Sequence, residues 1–341
     1  MKIIDWWLVI PVILLSCLGL LILRSVELEL FWYQLGFVIL GILIWIFVSI
    51  VDHKIFMAFW VWGYVISVIL LILPVIFGSY IRGSYRWITL GPVLLQTSEI
   101  VKPILLIFVA MAIKKWYVLF VIIPLLMIWR QPDLGSTLVL TAGIVTMIVS
   151  KYSLKKVFLW AGLAAVILGL SARLFLHDYQ KDRLTTFINP YADPLNTGYH
   201  VIQSVIAVGS GGMWGRGLGR GTQSQLRFLP EYHTDFIFAT MAEELGFAGS
   251  LLILIIYYVM LWRLYTLLIL SEDPVAKLYL QGVLGMLTFQ IFVNIGMNIG
   301  IAPVTGITLP FLSYGGSSLV SLMITFGLVQ SISSQIRLNK V

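Results

Sequence analysis

The chain has 341 residues, of which 60% are hydrophobic and only 11% charged, with a net charge of +7 and a mean hydropathy of +1.00. Soluble domains run at about 45–50% apolar and about 25% charged residues, so this composition excludes a soluble enzyme, a disordered protein and a disulfide scaffold. Long continuous apolar runs exclude a β-barrel porin, and the positive balance reads as loop anchoring rather than nucleic-acid binding.

A bilayer-crossing helix needs about 20 apolar residues. Ten candidates follow in chain order, near 6–24, 31–51, 55–79, 97–113, 116–129, 134–150, 155–176, 245–267, 278–299 and 316–334. The expected fold is all-α: one polytopic integral membrane domain over 1–341, with a large extracytoplasmic loop at 177–235 between spans seven and eight. Trp6 to Leu23 reads as an uncleaved signal anchor. Cys17, the only cysteine, reads as a small apolar core residue. The fifth span is short and is followed by Gln131-Pro132-Asp133, so a broken or tilted element is expected there. From Phe236 to Leu270 a single helix would measure roughly 52 Å, against a hydrocarbon core of about 30 Å. Its first part is therefore expected outside the bilayer or along a cavity.

Orientation follows from Lys and Arg in short loops. One side holds Lys2, Lys54, Lys114, Lys115, Lys151, Lys155, Lys156, Arg263, Lys277, Arg337 and Lys340, which is 11 of the 22 basic residues. The other side, apart from the long loop, holds Arg24, Arg82, Arg86, Lys102 and Arg130. This asymmetry places both termini in the cytoplasm, and residues 80–96 and 177–235 outside.

Four segments carry unusual chemistry. In the first, Gly83 to Gly91 with Arg86 and Trp87 leads into Gln96-Thr97-Ser98-Glu99 and Lys102-Pro103. Ser98 can cap the fourth span. Glu99 and Lys102 share a helix face. The uncharged run after Pro103 is too short to span, so Lys102 lies below the outer surface, where an ionisable residue marks a functional site by default. The plainer reading is a snorkelling lysine paired with Glu99, and a belt role for Trp87. In the second segment, Asp133 opens a span and can cap it; structure and function weigh equally there. In the third, four carboxylates, Glu231, Asp235, Glu243 and Glu244, gather with His233 at a membrane boundary. Helix capping or pairing with loop arginines accounts for Glu231 better than function does. Asp235 favours function, because polar His233-Thr234 precede it and an aromatic-apolar run follows it. In the fourth, Gly300 to Ser318 combines Pro303, Gly306 and Pro310 with Thr305, Ser313, Ser317 and Ser318. Such broken backbone is tolerated where it lines a cavity, and its amides and hydroxyls can bind an anion such as pyrophosphate. The histidines are too scattered for a metal cluster. Gly215-x-Gly217-x-Gly219 follows no strand and is not a nucleotide loop.

These motifs, in this order, resemble the SEDS family of bacteria, the RodA, FtsW and SpoVE proteins. The motifs are Arg86-Trp87-Ile88, Ser98-Glu99-x-x-Lys102, Gln131-Pro132-Asp133-Leu134-Gly135-Ser136, Leu229-Pro230-Glu231-x-His233-Thr234-Asp235, Glu243-Glu244-Leu245-Gly246 and Pro310-x-x-Ser313-Tyr314-Gly315-Gly316-Ser317-Ser318. Gly221 to Pro230 looks more RodA-like than FtsW-like, while Gln96-Thr97 departs from the glutamine-proline pair usual in the family.

The resemblance implies a peptidoglycan glycosyltransferase of the cytoplasmic membrane that joins lipid II units and releases undecaprenyl pyrophosphate. It implies Asp235 as the catalytic aspartate. It makes Arg86, Trp87, Glu99, Lys102, Asp133, Glu231, His233, Ser313 and Ser317 candidates for substrate binding. A divalent cation, Mg or Mn, is a candidate aid to the leaving group, and no organic cofactor is expected. The implied partner is a class B penicillin-binding protein supplying transpeptidation. Two other classes compete: a lipid II flippase, which needs a polar path through the bilayer, and a scaffold that only recruits a transpeptidase. A polymerase needs its acids clustered at one face.

Overall fold

The computed structural model describes residues 4–81, 84–91, 93–150, 186–194 and 198–338. The seventh expected span, 155–176, lies outside them, as does His177. Helices α1 (Trp6–Val26) and α2 (Leu28–Ile50) form a hairpin that turns at Glu27, whose backbone is extended (φ −151°, ψ 100°). The third expected span is broken at Phe59 into α3 (His53–Ala58) and α4 (Trp60–Phe77).

The following segment adds one small sheet to the helical fold. Ser79–Ile81 (β1), Ser84–Leu90 (β2) and Val93–Gln96 (β3) form a three-stranded antiparallel sheet in the order β1-β2-β3, with Trp87 opposite Gln96. Its last strand runs straight into α5 (Thr97–Ala112). The fifth span is a 3₁₀ turn, Trp116–Val121, continued as α6 (Ile122–Arg130), which fits the broken element expected there. Then come α7 (Leu134–Val149), α8 (Tyr199–Ser210), the single-turn α9 (Thr222–Gln225), α10 (Ile237–Leu270), α11 (Pro274–Asn298) and α12 (Gly316–Leu338). Among the described residues, six helices are long and apolar enough to cross a membrane, and two shorter apolar helical segments accompany them.

Helix α12 is the axis of the bundle. Between Ser317 and Ser334 only Val320 and Ile324 are not fully buried. It packs chiefly on α2 and also on α5, while α11 packs on α7 and α10 on both α1 and α11. Small residues allow close approach where lipid supplies no hydrophobic drive between helices. At the α7–α11 contact a Cβ on Gly143 would stand 2.9 Å from the Gly282 carbonyl oxygen.

The long α10 is two helices in one. Gly246 takes φ 67° and ψ −164°, which breaks it. From Phe247 to Leu270 the helix is roughly 36 Å long, enough to cross a bilayer core. The part before Gly246 is buried from Ile237 to Glu244, packing on α8 and on the glycine-rich loop.

The two ends of the bundle are chemically distinct. At one end Asp5, fully buried, accepts from Arg263 (2.6 Å) and Ser333 (2.6 Å) and pairs with Arg337 (2.9 Å). This ties the start of α1 to α10 and α12. His53 lies at the same end, between Asp52 and Asp273 (3.4 and 3.7 Å). At the opposite end the sheet, the 131–136 turn, the loop before α10 and the 299–315 segment converge.

Candidate active site

Each converging segment has a local reason for its shape. Asp133 caps α7 by accepting from the Ser136 amide (3.1 Å), as its position before the helix suggested. It also accepts from the Ser98 hydroxyl (2.6 Å) and the Gln96 side-chain amide (2.7 Å), with the Arg86 guanidinium 3.7 Å away. Burial pushes the Asp133 carboxyl up, but Arg86, Ser98, Lys102 and the Ser136 amide outweigh it and hold it below its ordinary value. The expected cap of α5 by Ser98 is therefore corrected. The hydroxyl is drawn across to Asp133 on another helix, because a buried carboxylate is costly unless its oxygens are filled.

Glu99 and Lys102 pair at 2.5 Å across one turn of α5, both buried. Ser136 donates to the same carboxylate (3.1 Å), and Ser321 of α12 donates to the Glu99 carbonyl (2.7 Å). Helices α5, α7 and α12 are thus joined at one acid.

Asp235 sits at the end of a strained turn. Glu231 has φ 52°, left-handed backbone that is uncommon for a residue with a side chain. The amides of Thr234 and Phe236 both donate to the Glu231 carbonyl, at 3.1 and 3.2 Å. Thr234 also donates through its hydroxyl to the Glu231 carboxylate (2.8 Å). Ser313 donates to the Thr234 carbonyl (2.7 Å), and the Tyr314 amide to the His233 carbonyl (2.9 Å). Tyr232 tethers the turn to Glu27 through a short hydrogen bond. Burial, then that carboxylate, pushes the Tyr232 phenol up to about 12, so it stays a donor. Strain of this kind persists where the surroundings over-determine it, and it collects at functional sites.

These pieces enclose a cavity of about 410 Å³. Arg86, Trp87, Glu99, Lys102, Glu231, His233, Asp235 and Ser317 all line it. They come from three stretches far apart in sequence, so eight of the ten candidate residues meet in one place. Two do not line it. Asp133 stands behind Arg86 and Ser98 as their anchor. The Ser313 hydroxyl is used internally, accepting from the Leu309 amide (2.7 Å) and donating to Thr234, so its expected substrate contact is corrected to a brace for the loop. Ser317 bridges to the sheet, accepting from the Gln96 amide at 2.9 Å.

The wall also presents buried polar atoms without a protein hydrogen-bond partner: Arg86 Nε, Trp87 Nε1 and Thr305 Oγ1. Tyr33 and Phe37 of α2, with Leu94, Leu134 and Val139, supply an apolar side. The cavity therefore joins cations, carboxylates and apolar surface, as an anionic head on an apolar tail requires. No group of three or more His, Cys, Asp and Glu suited to a metal ion occurs among the described residues. Among the described residues the acids of the cavity do not form a metal cage by themselves.

Glu243 and Glu244 belong elsewhere. Both are fully buried and hold the glycine-rich loop. Glu243 accepts from the amides of Gln223 and Ser224 (2.9 and 3.3 Å), and Glu244 from the Gly219 amide (3.1 Å) and the Ser25 hydroxyl (2.7 Å). Gly215, at φ 81°, faces the Glu244 carbonyl so closely that a Cβ would stand 2.1 Å from it. Glu243 thus caps the single-turn α9, and the glycines serve close packing.

Residues overlooked in the sequence include Gln34, Gln290, Asn294 and Asn298. Gln34 bonds the Gly315 amide (3.1 Å), and Gln290 the Thr308 carbonyl (2.9 Å). Asn294 donates to the Ile307 carbonyl (2.6 Å). Three amides spaced by four along an apolar span were the signal, since polar side chains there face the protein interior.

The chain matches the family model described as cell cycle protein, FtsW, RodA and SpoVE, over residues 3–338. It is 38% identical over 311 residues to the peptidoglycan glycosyltransferase MrdB of Escherichia coli K12, covering 88% of this chain and 84% of that one. It is 34% identical to the stage V sporulation protein E of Bacillus subtilis, covering 96% of each. Among solved structures it superposes on a chain described under "Structural coordination of polymerization and crosslinking by a peptidoglycan synthase complex", with a TM-score of 0.83, 33% identity and coverage of 97% and 98%. The Thermus thermophilus rod shape determining protein RodA gives a TM-score of 0.72 at 28% identity, covering 96% of each chain. Matched along nearly its whole length in both sequence and fold, the chain belongs to the FtsW/RodA/SpoVE family.

Proposed function

We propose that the chain is a peptidoglycan glycosyltransferase that polymerises lipid II at the outer face of the bacterial cytoplasmic membrane, in cell elongation and shape. The observation that carries this reading is the single cavity in which Asp235 and Glu231 share a wall with Lys102 and Arg86. Relatives named as peptidoglycan glycosyltransferases support it. The acceptor GlcNAc hydroxyl attacks the anomeric carbon of the donor MurNAc. A new glycosidic C–O bond forms as the bond to pyrophosphate breaks. Asp235 takes the hydroxyl proton as general base. Lys102 and Arg86 balance the charge on the departing undecaprenyl pyrophosphate. The apolar side beside Tyr33 and Phe37 suits the start of the polyprenyl tail.

Cross-linking needs a separate transpeptidase, for which the reading names a class B penicillin-binding protein. The solved relative described in terms of polymerization and crosslinking supports that pairing. The reading also fixes sidedness: the Asp5–Arg263–Arg337 end faces the cytoplasm, where basic residues collect, and the cavity faces outward. On a Cys17→Ala background, a cysteine placed at Asp193 is expected to react with a membrane-impermeant maleimide added outside intact cells. Reaction from the cytoplasmic side alone would put the cavity on the wrong face for wall synthesis.

A further inference from the structure

The start of α10 is capped by side chains of α11. In an α-helix the amide of residue i donates to the carbonyl of residue i−4. The Thr240 amide does so, reaching the Phe236 carbonyl at 3.1 Å. One step earlier, the pair would be the Ala239 amide and the Asp235 carbonyl. Both groups are bonded instead to a side chain of α11. The Ala239 amide donates to Asn298 Oδ1 (3.0 Å), and Asn298 Nδ2 donates to the Asp235 carbonyl (3.1 Å). The carboxamide has one acceptor and one donor side, as a peptide unit has. It bridges the first turn of the helix, whose amides lack intrahelical partners, to the turn that carries Asp235. Phe236 accordingly has φ −107° and ψ 21°, outside the helix.

Asn294, one turn before Asn298, adds a second donor to the same carbonyl (3.1 Å). Its Nδ2 also holds the Ile307 carbonyl at 2.6 Å. Asn294 and Asn298 are fully buried. The wall they fix is the one beside the Asp235 side chain, for a Cβ on Gly306 would stand 3.6 Å from Asp235 Oδ2.

We propose that Asn298 and Asn294 are positioning residues for Asp235: their amides keep α10 from winding back through residue 235 and so hold its carboxylate in the cavity. The inference rests on Asp235 being the base in the reading above. Were the helix to extend back through residue 235, Asp235 would take helical φ and ψ and its side chain would swing onto the helix flank. A misplacement of about 1 Å from a site remote from the chemistry can cost about 10²-fold in rate.

The test uses the purified full chain with its transpeptidase partner and lipid II. Asn298→Leu keeps the branching at Cγ and removes both bonds to the start of α10, together with the Nδ2 bond to the Asn294 carbonyl (2.8 Å). It is expected to lower kcat by about 10–100-fold while the KM for lipid II stays within about twofold, because the cations and apolar wall that bind the substrate are untouched. Asn294→Ala removes one of the two donors and leaves the Ala239 amide bonded. Its kcat is expected to fall by about 3–10-fold, again with KM held. If Asn298→Leu does not fold, as judged by thermal unfolding in detergent, the Asn294→Ala result decides alone. Wild-type kcat in a folded variant, or kcat and KM changing by equal factors, overturns the positioning role. Asp235→Asn run in parallel separates the two claims. An active Asp235→Asn removes the base reading itself, whereas an inactive one beside fully active asparagine variants removes only this inference.

Discussion

Replacing Asp235 by asparagine is expected to cut glycan polymerisation by about 10²–10⁴-fold, the usual contribution of general-base catalysis. The substitution keeps size and shape, so the strained turn at Glu231 and the backbone bonds from Asn294 and Asn298 survive. What is lost is the proton acceptor. Glu231→Gln is expected to be milder, because that side chain is already engaged by the Thr234 hydroxyl at 2.8 Å. Strand formation from labelled lipid II, resolved on a gel, reads both. A folded Asp235→Asn protein that retains most of the wild-type rate removes Asp235 from the base role.

Lys102→Met is expected to reduce polymerisation by about 10²–10³-fold, the cost typical of removing one group that stabilises developing charge in a dry site. The residue is only 4% exposed yet lines the cavity, so its charge is felt there with little screening. The same change leaves Glu99 buried without its cation, and breaking a buried pair costs about 3–5 kcal/mol of stability. The two effects separate in the double variant Glu99→Gln with Lys102→Met, which carries no unpaired charge. Thermal unfolding of the double variant is expected to return towards wild type while polymerisation stays low. Recovery of activity along with stability in that variant would show that Lys102 serves only to neutralise Glu99.

What the sequence revealed and what it hid divide along chain separation. Features set within one or two helical turns were legible. Glu99 and Lys102 are three apart and pair as spaced, and Asp133 precedes α7 and caps it. The length from Phe236 to Leu270 exceeds any bilayer crossing, and the helix breaks at Gly246. The glycines and prolines of 300–315 end one helix and delay the next. The gathering of Arg86, Lys102, Asp235 and Ser317 was legible through the family motifs, not through spacing. Pairings across the fold were hidden. Ser98 satisfies Asp133, 35 residues on, instead of its own helix end. Asp5 meets Arg263 and Arg337, both of which read as independent loop anchors. The sheet at 79–96 escaped notice because its strands are short, and Gly83 and Gly91 interrupt any alternating pattern. The amides at 290, 294 and 298 were visible as a spacing, but their partners are backbone carbonyls, which a sequence does not display.

An outer-face polymerase and a flippase differ in what they need from a membrane. Chemistry at one face moves nothing across, so neither a sealed compartment nor a potential is required. The decisive measurement therefore takes the purified chain with a class B penicillin-binding protein whose active serine is blocked, and supplies lipid II in detergent. The account predicts uncrosslinked glycan strands and released undecaprenyl pyrophosphate. Absence of polymer there, together with transfer of lipid II between leaflets when the same preparation is sealed into vesicles, would contradict it.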